Sequence, residues 1–288
     1  MSNFSLVSVI IPLYNRESVI LETLQSVSRQ SLPEFDCIIV DDGSTDNTIT
    51  IVKQYISQDS RFRLIHRNRL PKGANTCRNM GLKEAEAEYV VFLDSDDILS
   101  DNFLESQLNA LNSSEADAMI SRIIEFKHDI SLGKERNHDF EINLAGYLER
   151  KCSWLTSAVF WKKEAIVGVG GFDEGIMKWQ DWLLNVKALA KGIIFLQNKE
   201  CNMYYRSSWD EHQVSNSLNR DEFNYDKYYQ TRILALRYLS GLEEKKYLLN
   251  HFNVSLIKNV SSTRFRANIL VILCLHSHSI KPLFEYFR

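Results

Sequence analysis

Cysteine, proline and glycine are all scarce in this chain of 288 residues, at five, four and eleven. The five cysteines (Cys37, Cys77, Cys152, Cys201, Cys274) are odd in number and scattered, with no CxxC pair. That excludes a disulfide framework and a zinc-ligand spacing, and fits a reducing compartment. So few prolines and glycines leave no room for a long flexible linker. Neither sign of charge dominates: 34 basic against 37 acidic residues give a net −3, which argues against a protein held on nucleic acid by bulk charge. The apolar runs at 6–11 and 267–275 both fall short of the ~20 residues that cross a bilayer. The first residues, Met1-Ser2-Asn3-Phe4-Ser5, lack the basic region of a signal peptide. The sequence reads as a cytoplasmic, soluble chain.

What is present is ordinary globular composition, 44% hydrophobic and 25% charged, in a chain long enough to bury a core without staples. Up to residue 125, strand-like and helix-like signals alternate. Residues 6–11, 35–40, 62–66 and 89–93 are short β-branched or aromatic runs between polar turns. Residues 18–30, 46–56 and 75–87 carry helical spacing, the second opened by Asp46 as an N-cap. Such repetition predicts an α/β fold, a mainly parallel sheet with helices on both faces. Ligands then lie beyond the carboxyl ends of the strands.

The polar groups directly after each predicted strand are therefore the candidate site. They are Pro12-Leu13-Tyr14-Asn15-Arg16, then Asp41-Asp42-Gly43-Ser44-Thr45-Asp46, then Asn68 with Lys72 and Arg78, then Asp94-Ser95-Asp96-Asp97. Carboxylates two apart past a strand end can share one hard cation, or divide between cation and ribose. An isolated Asp-Ser-Asp also occurs in plain surface loops; its register with three other loaded strand ends is what favours a site. Asp41-Asp42 can be a turn with a helix cap, or one of them can accept the imide N–H of a uracil. Lys72 and Arg78 offer cations to a diphosphate, or are helix-surface charges.

The remainder is less regular. All five tryptophans, Trp154, Trp161, Trp179, Trp182 and Trp209, fall within 120–220, as core or as an acceptor wall beside the sheet. From residue 221 the spacing is helical, with Tyr229, Ile233, Leu236 and Leu239 on one stripe. From Lys245 onward there are seven basic residues against one acidic. Such a tail, with Ile269, Leu270, Ile272 and Leu273, either lies on an anionic membrane surface or packs on the catalytic part. Its apolar stripes would also allow a homodimer.

Pro12-Leu13-Tyr14-Asn15, Val40 to Asp46, Lys72-Gly73 with Arg78-Asn79-Met80-Gly81, and Phe92 to Asp97 together resemble the family 2 glycosyltransferases of GT-A fold. The resemblance implies metal-dependent, inverting transfer from a nucleotide-sugar donor, commonly a UDP-sugar, with Mn2+ or Mg2+ as cofactor. It implies that Pro12, Tyr14, Asn15 and Asp42 hold the base, that Lys72 and Arg78 serve the diphosphate, and that Asp94 and Ser95 meet the ribose or sugar. Asp96, with Asp97 beside it, would take the metal. Gly170-Gly171-Phe172-Asp173-Glu174 followed by Trp179-Gln180-Asp181-Trp182 matches the stretch that carries the catalytic base, which makes Asp181 the base; alternatively Asp181 is an acid stabilised at a helix N-terminus. Gln180 departs from the family, where glutamate is common. His212 falls near a loop that closes on the diphosphate, as a metal ligand or as plain polar surface.

The expected organisation is a GT-A catalytic domain over 1–219, with a nucleotide-binding half at 1–120 and an acceptor half at 121–219, and a helical extension over 220–288. The expected partners are a nucleotide-sugar donor and a glycan or lipid-linked acceptor, at the inner face of the plasma membrane. A non-catalytic nucleotide-binding protein acting through a partner is the alternative.

Overall fold

The computed structural model describes residues 5–136, 138–207 and 225–239, with isolated positions up to 270. The first strand, β1 (Val7–Leu13), is buried at every residue, as a strand covered on both faces must be. It is followed by α1 (Ile20–Ser28), β2 (Phe35–Asp41), α2 (Thr48–Ile56), β3 (Phe62–His66), α3 (Ala74–Glu84) and β4 (Tyr89–Phe92). The predicted strands and helices of this half are all present, with ends displaced by at most three residues and β3 matching at both ends. Asp46 does its capping from outside the helix: Oδ1 accepts from the Thr48 N–H at 3.0 Å and Oδ2 from the Glu17 N–H at 3.2 Å.

Strands β3, β2, β1 and β4 lie side by side in that order, all parallel. The chain moves outward from β1 to β3 and then returns to the other flank of β1. The order reverses between β1 and β4, and a crevice opens there at the carboxyl ends. Pro12 is tolerated inside β1 because the β4 pairing stops at Ile10, so the side facing β4 no longer needs a donor.

The second half extends the same sheet. It comprises β5 (Ile98–Leu99), α4 (Phe103–Asn112), β6 (Ala118–Phe126), β7 (Lys134–Glu135), α5 (Leu144–Leu148), β8 (Val159–Lys162), α6 (Lys163–Val169), α7 (Gln180–Ala190), β9 (Phe195–Arg206) and α8 (Tyr225–Ala235). Here β8 runs antiparallel to both β4 and β6, while β6 and β9 are parallel with a register shift at Ser121/Arg122. The sheet is thus mixed overall and parallel where the crevice forms. Trp154 and Trp161 are core residues, packed on Phe195 with ring centroids 5.1 Å away. Cys37, Cys77, Cys152 and Cys201 are buried free thiols. Among the described residues no helix is long and apolar enough to cross a membrane.

Candidate active site

The crevice is built by loops that bond to one another. After β1, Asn15 takes a left-handed conformation (φ 47°). Its backbone N–H donates to Ser44 Oγ at 3.0 Å, and its Oδ1 accepts from the Thr45 N–H at 2.8 Å. The loops after β1 and β2 are thereby one unit. Tyr14 is exposed, and the Lys72 ammonium lies 3.8 Å from its ring centroid, which draws the loop after β3 to the same rim.

The two adjacent acids after β2 divide the work. Asp41 closes the turn: it accepts from the N–H groups of Gly43 and Ser44 and lies 3.2 Å from His66 Nδ1. Burial raises its pKa, but the bonds from Ser44, His66 and Gly43 outweigh that and leave it below the ordinary value. Asp42 points elsewhere; its Oδ1 accepts from Arg67 Nε at 2.5 Å and from the Gly73 N–H at 3.2 Å. Arg67 follows β3 and carries no motif of its own, so the sequence offered no signal for it.

Past β4, three carboxylates are sorted by their partners. Asp94 Oδ1 accepts from Arg78 Nη2 at 2.5 Å, and the Asp94 N–H donates to Ser157 Oγ. Ser95 is buried, with its carbonyl on the Thr23 hydroxyl. Asp96 faces Arg16 across the crevice, Oδ2 to Nε 3.6 Å. Asp97 is turned inward: only 2% exposed, it accepts from the Arg206 N–H at 3.2 Å. Burial, then the charges of Asp96 and Asp94, push its carboxyl well up. Such an excess of negative charge on oxygen-only donors fits a hard divalent cation held by one or two carboxylates with donor phosphates. It does not fit an all-protein cage, since among the described residues no group of three or more His, Cys, Asp or Glu is set to hold a metal. His212 lies outside the described residues, as do Trp209 and most of the basic tail.

The link to the second half runs through α3. Arg78 is buried and reaches forward to Asp94, with Nη1 on Asn75 Oδ1. One turn along, Asn75 Nδ2 donates to the carbonyls of Asp173 and Ile176, and Asn79 exchanges bonds with the carbonyl and N–H of Phe172. Gly171 (φ 60°) is required here, because a Cβ would stand 2.6 Å from Asn79 Oδ1. Arg69 adds a two-pronged ion pair to Glu174, at 2.5 and 2.6 Å. This staple sets the start of α7, where Asp181 accepts from the Trp182 N–H.

Asp181 is half-buried, and its pKa is raised. Burial is the largest cause, opposed by the Trp182 N–H and the Arg78 charge and reinforced by Asp94. The charges of Arg78 and Asp94, more than eighty positions away in the chain, thus both act on Asp181. Trp179 and Trp182 flank it, the former in a left-handed conformation (φ 65°). Sequence reasoning placed Arg16 on the rim without giving it a role, and missed Arg67, Ser157 and Arg206 as builders of this site. Arg206 ends β9, donates to the Asp96 carbonyl and pairs with Glu22 on α1 at 2.6 Å.

The family model for glycosyl transferase family 2 matches residues 8–168, just over half of the chain. "Glycosyltransferase GlyG" of Streptococcus pneumoniae serotype 4 is 36% identical over 115 residues, 40% of this chain and 38% of the relative. "GalNAc(5)-diNAcBac-PP-undecaprenol beta-1,3-glucosyltransferase" of Campylobacter jejuni is 30% identical over 158 residues, 54% of this chain and 51% of the relative. The matched region is therefore about two-fifths to half the length of these curated relatives. Among solved structures, S. aureus TarS 1-349 in complex with UDP-GlcNAc superposes with a TM-score of 0.72 at 21% identity, covering 94% of this chain and 81% of that one. The fold is that of a GT-A-type glycosyltransferase.

Proposed function

The chain is a member of glycosyl transferase family 2, and on that premise we propose that it moves a sugar from a UDP-sugar to a hydroxyl of a glycan or lipid-linked saccharide, with inversion, in the assembly of a cell-surface polysaccharide. The observation that carries this reading is the crevice at the carboxyl ends of β1, β2 and β4, where Asp42, Arg78, Asp94 and Asp96 converge and the bonds of Asn75 and Asn79 draw in the stretch that leads to Asp181.

In this reading the loop after β1 and Asp42 hold the uracil, Arg78 and Lys72 face the diphosphate, and Asp94 and Ser95 meet the ribose or sugar. The acceptor hydroxyl gives its proton to the Asp181 carboxylate as its oxygen bonds to the anomeric carbon. The bond from that carbon to the diphosphate oxygen breaks, and the pair of electrons leaves with UDP. Asp96 would hold Mn2+ or Mg2+, with Asp97 turned inward behind it; the ion when bound offsets charge on the departing diphosphate. The UDP-GlcNAc complex of the TarS fragment and the undecaprenol-linked substrate named for the Campylobacter relative support the donor and acceptor classes.

Turnover of a UDP-sugar panel with Mn2+, scored by UDP release, tests the activity. Release from one donor is expected. No release from any nucleotide sugar, with or without added saccharide acceptors, sinks the reading.

The seven basic residues from Lys245 onward further support contact with an anionic membrane face. Co-sedimentation with vesicles containing anionic lipid, reversed by salt, is the expected result; equal sedimentation with neutral vesicles counts against it.

A further inference from the structure

Two arginines on the tryptophans at the start of α7 take no part in the transfer just described. Arg232 lies on α8 and is 5% exposed. Its guanidinium carbon is 3.9 Å from the ring centroid of Tyr228, 4.3 Å from Trp182 and 4.6 Å from Trp179. Arg150, just past α5, is exposed and stands 5.7 Å from the same Trp179 ring. One indole therefore carries two cations.

The chemistry around Arg232 is unbalanced. Burial, the largest cause, together with the like charge of Arg150 brings its pKa down to about 10, and the side chains that oppose this, Tyr228 and Tyr147, are phenols and not carboxylates. Its Nη1 is buried with no hydrogen-bond partner among the described residues. Aromatic faces offset part of the cost of a buried cation, but a guanidinium also presents five donors, and an unmet buried donor is costly.

Backbone strain converges on the same spot. Only three non-glycine residues among those described have positive φ: Asn15, Arg150 and Trp179. Asn15 joins two loops of the crevice, while Arg150 and Trp179 face each other here. Left-handed conformations at bulky residues persist where surrounding structure holds them and concentrate at functional sites. Tyr147, buried against α7 through Asn185, feels the charges of both Asp181 and Arg232.

We propose that Arg232 and Arg150, on the shared ring of Trp179, form an anion-recognition subsite at the start of α7, the helix whose first turn holds Asp181, and that the acceptor carries a phosphate or carboxylate near the hydroxyl that is glycosylated. Arginine suits both groups, because its planar fork bonds their oxygens in pairs while its face remains on an aromatic ring. A mere staple between α7 and α8 would use the ring contacts alone and would gain nothing from a second cation or a spare donor. The inference rests on the proposed transfer, since that reading is what puts the acceptor at Asp181.

Calorimetric titration of the full chain, saturated with UDP and Mn2+, separates the outcomes. Three probes are used: glycerol 3-phosphate, methyl glucuronide and neutral methyl glucoside. One anionic probe is expected to bind, the neutral sugar at least tenfold more weakly. Arg150→Met and Arg232→Met should each weaken the anion at least tenfold, and Arg232→Lys, which keeps charge without the fork, by less. Preference for the phosphate points to a phosphate-bearing acceptor, and preference for the glucuronide to an acidic sugar. Equal binding of all three probes, binding of none, or full affinity in Arg150→Met overturns the proposal; the exposed Arg150 keeps the test sound if Arg232→Met fails to fold. Failure of UDP itself to bind would instead overturn the transfer reading beneath it.

Discussion

Adjacent carboxylates in this molecule differ by what holds them, and their chemistry follows. Asp41 is surrounded by donors and held low, whereas Asp97, inward and beside two other acids, is pushed up. Asp181 belongs with the second kind, since burial outweighs the Trp182 N–H and Arg78. A base works as the carboxylate, so activity should fall with pH as Asp181 takes up a proton, and the acid limb of kcat/KM should lie above the ordinary aspartate value of about 4. The same shift has a sign for stability. A carboxyl whose folded-state pKa is raised penalises the folded form fully at neutral pH, and the penalty lifts as pH falls through that pKa. Asp181→Asn should therefore lower kcat by roughly 10²–10⁴-fold while raising the melting temperature at pH 7. Unchanged turnover in that variant would remove Asp181 from the chemistry.

At the scale of elements, α3 does most to position the site. It packs on β1 so closely that a Cβ on Gly81 would stand 2.3 Å from Ile10 Cγ2. Ile10 is fully buried and β-branched, so it has little freedom to give way. Gly81→Ala should cost on the order of 1–2 kcal/mol despite the better helix propensity of alanine. The urea midpoint should drop at constant slope; a higher midpoint would show that α3 can lift from the sheet. This element also shows where sequence reasoning succeeds. Strands β1 to β4 are legible because parallel strands covered on both faces read as unbroken apolar runs, and the polar groups that follow them fall on the rim by topology alone. The second half was harder to read. In β9, polar residues such as Asn198, Lys199 and Glu200 interrupt the alternation where the register shifts, and nothing local announces that β8 inserts antiparallel beside β4. Arg206 and Glu22 pair across 184 positions, a relation no window of sequence contains. The tryptophans divided in the same way: Trp154 and Trp161 went to the core, while Trp179 and Trp182 flank Asp181, a division set by packing and not by spacing.

Across the whole molecule the site is a seam. One sheet runs from β3 to β5, and the loops after β1, β2 and β4 meet the start of α7 through α3 and the Arg69–Glu174 pair. A donor lodged in the crevice as proposed would stabilise the chain by about 2.7 kcal/mol at a hundred times its dissociation constant. For a chain of this size that is a rise of roughly 4–5 °C in melting temperature. Arg16 and Arg78 lie against Asp96 and Asp94 and neutralise only part of the charge gathered there, so UDP alone should produce a smaller rise, and Mn2+ together with UDP the full one. EDTA should return the second value to the first. Asp96→Asn should abolish the increment due to Mn2+ while keeping the rise due to UDP, because Asp96 lies past β4 while the proposed base contacts lie after β1 and β2. An increment that survives Asp96→Asn would move the cation to another ligand, and a UDP response indifferent to both Mn2+ and EDTA would mean that Arg16 and Arg78 supply the positive charge the diphosphate needs.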